Sequence, residues 1–164
     1  MPGEGLTCRI YAQDMSTEPL SDGPDRDSLI DLIKRTWPDS VVATSPDATF
    51  FSLDESNWPN FATVVWSDAF DEGAPSDLSA RPDVYRLNIG VGKESFERLV
   101  GGMTDPDYAA FDRFVPHPVY GKQRWISIVN PSDITMREKV MPLLTEAHDR
   151  LAAQKERQKP KRLG

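Results

Sequence analysis

Between Val41 and Trp66 the chain offers three short runs of β-branched and aromatic residues, Val41–Thr44, Thr49–Leu53 and Phe61–Trp66, separated by Ser45-Pro46-Asp47 and Asn57-Trp58-Pro59-Asn60. Each run is too short to make a stable helix, and each separator holds residues that fix φ or bond to their own backbone. The segment therefore predicts antiparallel strands joined by tight turns. A further run, Val84–Ile89, alternates cleanly: Tyr85, Leu87 and Ile89 fall on one face, Arg86 and Asn88 on the other. Trp125–Val129 reads as the last strand.

Helical patterns flank these strands. Ser28 and Asp31 have capping-box spacing ahead of the stripe Leu29, Ile30, Leu32, Ile33 and Trp37, and Pro38 stops it. A short helix is predicted over Glu94–Val100, ended by Gly101-Gly102. Thr135 and Glu138 read as a second capping box for a final helix in which Val140, Leu143, Leu144, Ala147 and Leu151 recur at helical spacing, with Pro142 predicted to kink it or to mark a short first turn before a fresh start. Strands grouped between helices, rather than alternating with them, predict an α+β domain. The expected architecture is a single domain with a twisted antiparallel sheet of about five strands, packed by the N-terminal and C-terminal helices.

The 164 residues suit one domain, and no apolar run approaches the ~18 residues needed to span a bilayer. Residues 1–24, rich in Gly, Pro, Ser and acids, are expected to form a flexible leader with a short extended piece at Cys8–Tyr11; residues 25–153 form the domain and 154–164 a basic tail. The start lacks the apolar core of a signal peptide, and Cys8 is the sole cysteine, so a cytoplasmic location is expected. The formal charge is -7, yet Leu151–Gly164 carries five basic residues against one acid, a local +4, which leaves -11 on the first 150 residues. Such a body repels phosphate backbones. Nucleic-acid association would have to act through the tail, chiefly Lys155, Arg157, Lys159, Lys161 and Arg162.

Several chemistries are excluded by spacing. Gly90-Val91-Gly92-Lys93 follows a strand and precedes a helix, but a phosphate-binding loop needs glycine where Leu87 stands and Ser or Thr where Glu94 stands. His117, His148 and Cys8 are too scattered to announce a zinc site, no Gly-x-Ser-x-Gly elbow is present, and neither a metal nor a cofactor is implied. What remains is the loop Pro116-His117-Pro118-Val119-Tyr120-Gly121-Lys122, where a group that titrates near neutrality is held between two prolines. As a catalytic site it would use His117 as general acid or base with Tyr120 or Lys122 as partner.

If the Arg86 strand lies beside the Trp125 strand, an arginine, an amide, an indole and an imidazole converge. That is the composition of a small-ligand pocket, with apolar walls and few polar anchors. In this reading Arg86 and Asn88 anchor a polar group, Trp66 and Trp125 supply walls, and His117 with Tyr120 closes one end. The leading expectation is thus a module that binds a small molecule or a protein partner; the alternatives are an enzyme using His117 and a nucleic-acid-associated protein acting through the tail.

The order Phe50-Phe51, Phe61-Ala62-Thr63-Val64-Val65, the run Arg81 to Val91 containing Leu87-Asn88-Ile89-Gly90, His117-Pro118-Val119-Tyr120, and Trp125 to Asn130-Pro131 before a closing helix resembles the DUF6194 family of actinobacterial proteins. The resemblance runs from about Ser28 to Ala153. It implies a domain and no reaction, since that family has no assigned activity. More loosely, a tryptophan-led strand followed by a terminal helix is similar to MmcQ/YjbR-like proteins, which implies an α+β fold and a DNA-binding label from which this acidic body departs.

Overall fold

The computed structural model describes residues 22–158. The leader up to residue 21, with Cys8, and the tail from residue 159 lie outside the described residues. The fold is α+β, built on one open antiparallel sheet of six strands. In chain order its elements are α1 (Arg26–Thr36), β1 (Val41–Thr44), β2 (Ala48–Ser52), β3 (Asn60–Val65), β4 (Arg86–Gly90), α2 (Lys93–Val100), β5 (Val115–Pro116), β6 (Trp125–Val129), α3 (Asp133–Thr135) and α4 (Met141–Gln158). The strand order is β1-β2-β3-β4-β6-β5. The first four strands form a meander, and β6 inserts between β4 and the edge strand β5.

The expected count of five strands is corrected to six by β5. Two residues are too few to show an alternation, and Pro116 lacks the N–H that an interior strand must donate. It can pair on one side only, and does so with Ile126 while Val115 pairs with Ser127. Two helix starts also move. Asp25 caps α1, its carboxylate accepting from the Ser28 N–H at 2.8 Å, so Ser28 lies inside the helix. Ser132 caps α3, its hydroxyl accepting from the Thr135 N–H at 3.3 Å. In both places a better acceptor stands three residues ahead of the group whose N–H needs one.

Pro142 does not break the last helix. A π-helical stretch, Met136–Val140, joins α3 to α4 immediately before it. The wider turn gives the ring room where an α-helical carbonyl at Glu138 would meet it. The helix then runs to Gln158, so Lys155 and Arg157 belong to it, and the Lys155 ammonium donates to the Leu53 carbonyl.

The two faces of the sheet are covered differently. On one, Phe51, Ala62, Val64, Leu87, Ile89, Ile126 and Ile128 pack against Leu29 and Ile33 of α1, Val100 of α2, and Leu143, Leu144, Ala147 and Leu151 of α4. This is the main core. On the other face, the rung Ala48, Val65, Arg86 and Val129 is covered by Leu78 and Val84 from the long β3–β4 connection. The next rung, Phe50, Thr63, Asn88 and Ser127, has no helix over it.

The turn between β4 and α2 explains its glycines without any phosphate. The Glu146 carboxylate of α4 accepts from the Gly92 N–H at 2.7 Å and from the Ser95 hydroxyl at 2.6 Å. The protein thus supplies its own anion at the N-terminus of α2, where the helix dipole favours one.

Candidate functional site

The site is built on the uncovered rung. Asn88 is its centre: its Nδ2 donates to the Thr63 hydroxyl at 2.8 Å, and its Oδ1 accepts from the Ser127 hydroxyl at 2.7 Å and from Arg86 Nε at 2.9 Å. These bonds cross three strands because Thr63, Asn88 and Ser127 are register partners. Arg86 is only 1% exposed, and four of its five N–H donors meet acceptors in the protein. Its Nη1 and Nη2 donate to the two carboxylate oxygens of Asp71 at 2.5 and 3.2 Å, and Nη1 also donates to the Ser76 hydroxyl at 3.0 Å. A buried guanidinium in this bidentate arrangement needs its acid, since removing either partner leaves an uncompensated charge.

Above this floor lies a cavity of about 500 Å³. Its walls are aromatic and apolar: Phe50, Trp58, Val65, Phe70, Tyr120 and Trp125. Phe50 and Phe70 meet edge to face with ring centroids 5.8 Å apart. Trp125 pairs across the ladder with Gly90, and a Cβ on Gly90 would come within 3.0 Å of the indole, so the missing side chain is what lets the ring lie against the strand. Trp58 is 72% exposed and Tyr120 54%, and Phe70 is likewise exposed at the edge of the same cavity. An apolar, solvent-facing rim around a cavity is surface that a folded chain normally avoids leaving uncovered.

His117 follows β5 and lines the cavity while remaining only 8% exposed. Its Nδ1 accepts from the backbone N–H groups of Val119 at 2.9 Å and Tyr120 at 3.0 Å. Backbone N–H groups can only donate, so the proton of the neutral ring is on Nε2. Burial, then the Arg86 guanidinium, push its pKa down to about 4, with Asp71 acting in the opposite sense. At neutral pH it is an uncharged donor. The flanking Pro116 and Pro118 hold the loop, and Tyr120 also packs its ring 5.0 Å from the imidazole.

Of the residues singled out in the sequence, Arg86, Asn88, His117, Tyr120 and Trp125 surround this one cavity. Two do not. Trp66 directs its indole N–H to the Pro46 carbonyl at 2.8 Å and lies beneath the Arg26 guanidinium at 4.3 Å. Val65 faces the cavity, so the next residue in an alternating strand leaves it. Lys122 is exposed in the turn Gly121–Gln123 and does not line the cavity. Reading the sequence missed Asp71, Ser76, Phe50, Thr63 and the rim residues Trp58 and Phe70. Thr63 and Phe50 follow from strand parity once the register is known, but nothing local marks Asp71 among the acids of its loop.

The second histidine lies elsewhere. His148 on α4 makes hydrogen bonds to Asp39 at 2.9 Å and Asp149 at 3.0 Å and stacks on Trp37 at 5.8 Å. Burial works against its charge, but the bonds to Asp149 and Asp39 outweigh it and the pKa is raised. Among the described residues, no group of three or more His, Cys, Asp or Glu is placed to hold a metal ion, and no helix is long and apolar enough to cross a membrane.

The model of the DUF6194 family matches residues 24–160. The chain belongs to DUF6194. That family is described as one of unknown function, so membership assigns the domain and leaves the chemistry to the geometry above. No curated protein and no solved structure matches the chain. The DUF6194 match spans every strand of the sheet and every residue lining the cavity.

Proposed function

We propose that this DUF6194 domain is a binding module for a small, largely apolar molecule held on the uncovered face of its sheet. The observation that carries the reading is the cavity of about 500 Å³, with aromatic walls above a hydrogen-bonded polar floor. Its volume falls within the roughly 300–1,000 Å³ of ordinary small-molecule sites, and the balance of apolar wall to few polar groups is theirs too. A protein partner fits less well, since a deep cavity over a rigid floor suits a compact ligand.

The geometry speaks against general acid–base catalysis by His117. A base needs a free lone pair, but Nδ1 already accepts two backbone N–H groups and Nε2 carries the proton. As an acid at neutral pH His117 would offer only the weakly acidic N–H of a neutral ring. The nucleic-acid alternative rests on the basic tail, of whose five basic residues Lys159, Lys161 and Arg162 lie outside the described residues.

The test is an amide-resolved NMR titration of the full chain with naphthalene-sized aromatic compounds. Resonances of Phe50, Thr63, Asn88, Tyr120 and Trp125 should move, while those of Leu143 and Leu144 stay. Trp125→Ala should weaken binding about tenfold by removing an aromatic wall. Shifts confined to the helix-covered face, or none with any compound, would sink the proposal.

A further inference from the structure

We infer that the cavity selects an uncharged ligand whose hydrogen-bond acceptor, a carbonyl group on an aromatic or otherwise apolar body, receives the Nε2–H of His117. The inference rests on the binding reading above and names its ligand class.

The first ground is a donor without an acceptor. His117 is more than nine-tenths buried and lines the cavity, its proton is fixed on Nε2 by the two backbone donors at Nδ1, and Nε2 has no hydrogen-bond partner among the described residues. Buried polar groups are almost always paired, and an unmet buried donor is destabilising. An incoming acceptor removes that cost, so the acceptor is selected for.

The second ground is that the floor has already spent its acceptors. Asn88 Oδ1 takes two donors and both oxygens of Asp71 take Arg86. A ligand donor there meets acceptors already engaged on Asn88 and Asp71, whereas a ligand acceptor meets the unpartnered imidazole N–H.

The third ground is charge. Among the described residues, the only charged side chains lining the cavity are Arg86 and Asp71, and they neutralise each other. A carboxylate ligand would enter an aromatic-walled cavity with no unpaired cation to meet it, which is unfavourable unless a proton comes with it. A carbonyl carries the same acceptor geometry without that cost. Selection by one hydrogen bond also fits the way polar anchors act in apolar sites, giving orientation and discrimination while the walls give affinity.

The experiment uses three probes with one ring system: naphthamide, naphthoate and naphthalene, titrated calorimetrically into the full chain near neutral pH. Naphthamide should bind tightest, by about tenfold over each of the others. In His117→Asn, the amide oxygen can still accept the two backbone N–H groups while the Nε2–H is gone; within that variant the roughly tenfold advantage of naphthamide over naphthalene should disappear. Independently of any variant, the His117 Nε2 resonance should move with naphthamide and stay with naphthalene. Naphthoate binding tightest would overturn the uncharged ligand and leave the binding module standing. Equal affinity for all three, or a still Nε2 resonance, would overturn the acceptor. Failure of all three to bind would remove both readings.

Discussion

The two faces of this sheet solve the burial problem in opposite ways. On the helix side, the central rungs are apolar apart from Thr49 at one end, and α1, α2 and α4 exclude water by packing. On the other side the rungs carry Arg86, Thr63, Asn88 and Ser127, each satisfied by a neighbour, and the cover is incomplete. Packing is indifferent to which apolar atoms meet, whereas the polar face depends on particular partners. The helix face holds the fold together. The polar face is kept rigid by its hydrogen bonds and leaves a cavity open, which is the division expected when a site is mounted on a scaffold.

The contrast is broken most severely at Asp71. Asp71→Ala leaves the Arg86 guanidinium buried without its acid and should cost roughly 3–5 kcal/mol in urea unfolding. Arg86→Met combined with Asp71→Leu should cost clearly less than Asp71→Ala alone, because no charge is left stranded. If the double variant is the less stable one, the pair is a net stabiliser and its role on the polar face has been misread. On the opposite face, Leu144→Ala removes a fully buried side chain and should cost about 3 kcal/mol while leaving ligand affinity unchanged in the fraction still folded.

What was legible in the sequence divides along the same line. The alternation of Tyr85, Leu87 and Ile89 against Arg86 and Asn88 was readable because a period of two assigns faces without any knowledge of partners. Trp66 was misplaced for the same reason, since its parity relative to Val65 sets it on the other face. The join of Arg86 to Asp71 was not readable: it closes a loop of fifteen residues, and several acids in that loop have the same chemistry. The edge strand β5 escaped because two residues carry no periodicity. DUF6194 membership, by contrast, was visible in the order of the segments and is matched across residues 24–160.

Each face also has one histidine, and they titrate in opposite directions. His117 binds its proton more weakly in the folded chain than in the unfolded one, from about 6.5 to about 4. Its contribution is therefore whole above about 6.5 and is lost as pH falls toward 4, because the unfolded state takes up the proton first. The shift corresponds to something on the order of 3 kcal/mol. Unfolding free energies of the wild type and His117→Asn, compared through that window, should converge as pH falls. Parallel curves would mean that burial and Arg86 do not hold the ring neutral.

The smallest expected effect is at His148, where the sign reverses. Its folded pKa is raised, so its stabilisation is fully present below the ordinary value of about 6.5 and is lost as pH rises through the raised value. Asp39 and Asp149 are both well exposed, so solvent screens the pair and the loss should be under about 1 kcal/mol. Asp39→Asn with Asp149→Asn should flatten the pH dependence on the alkaline side and leave the acid-side loss at His117 intact. That separation is itself the sharper result: one imidazole is stabilised by acids at a solvent edge and the other is kept neutral beneath aromatic walls. A double variant that altered both slopes would show the two faces to be coupled through the sheet, and the polar face could then no longer be treated as a site carried by an independent core.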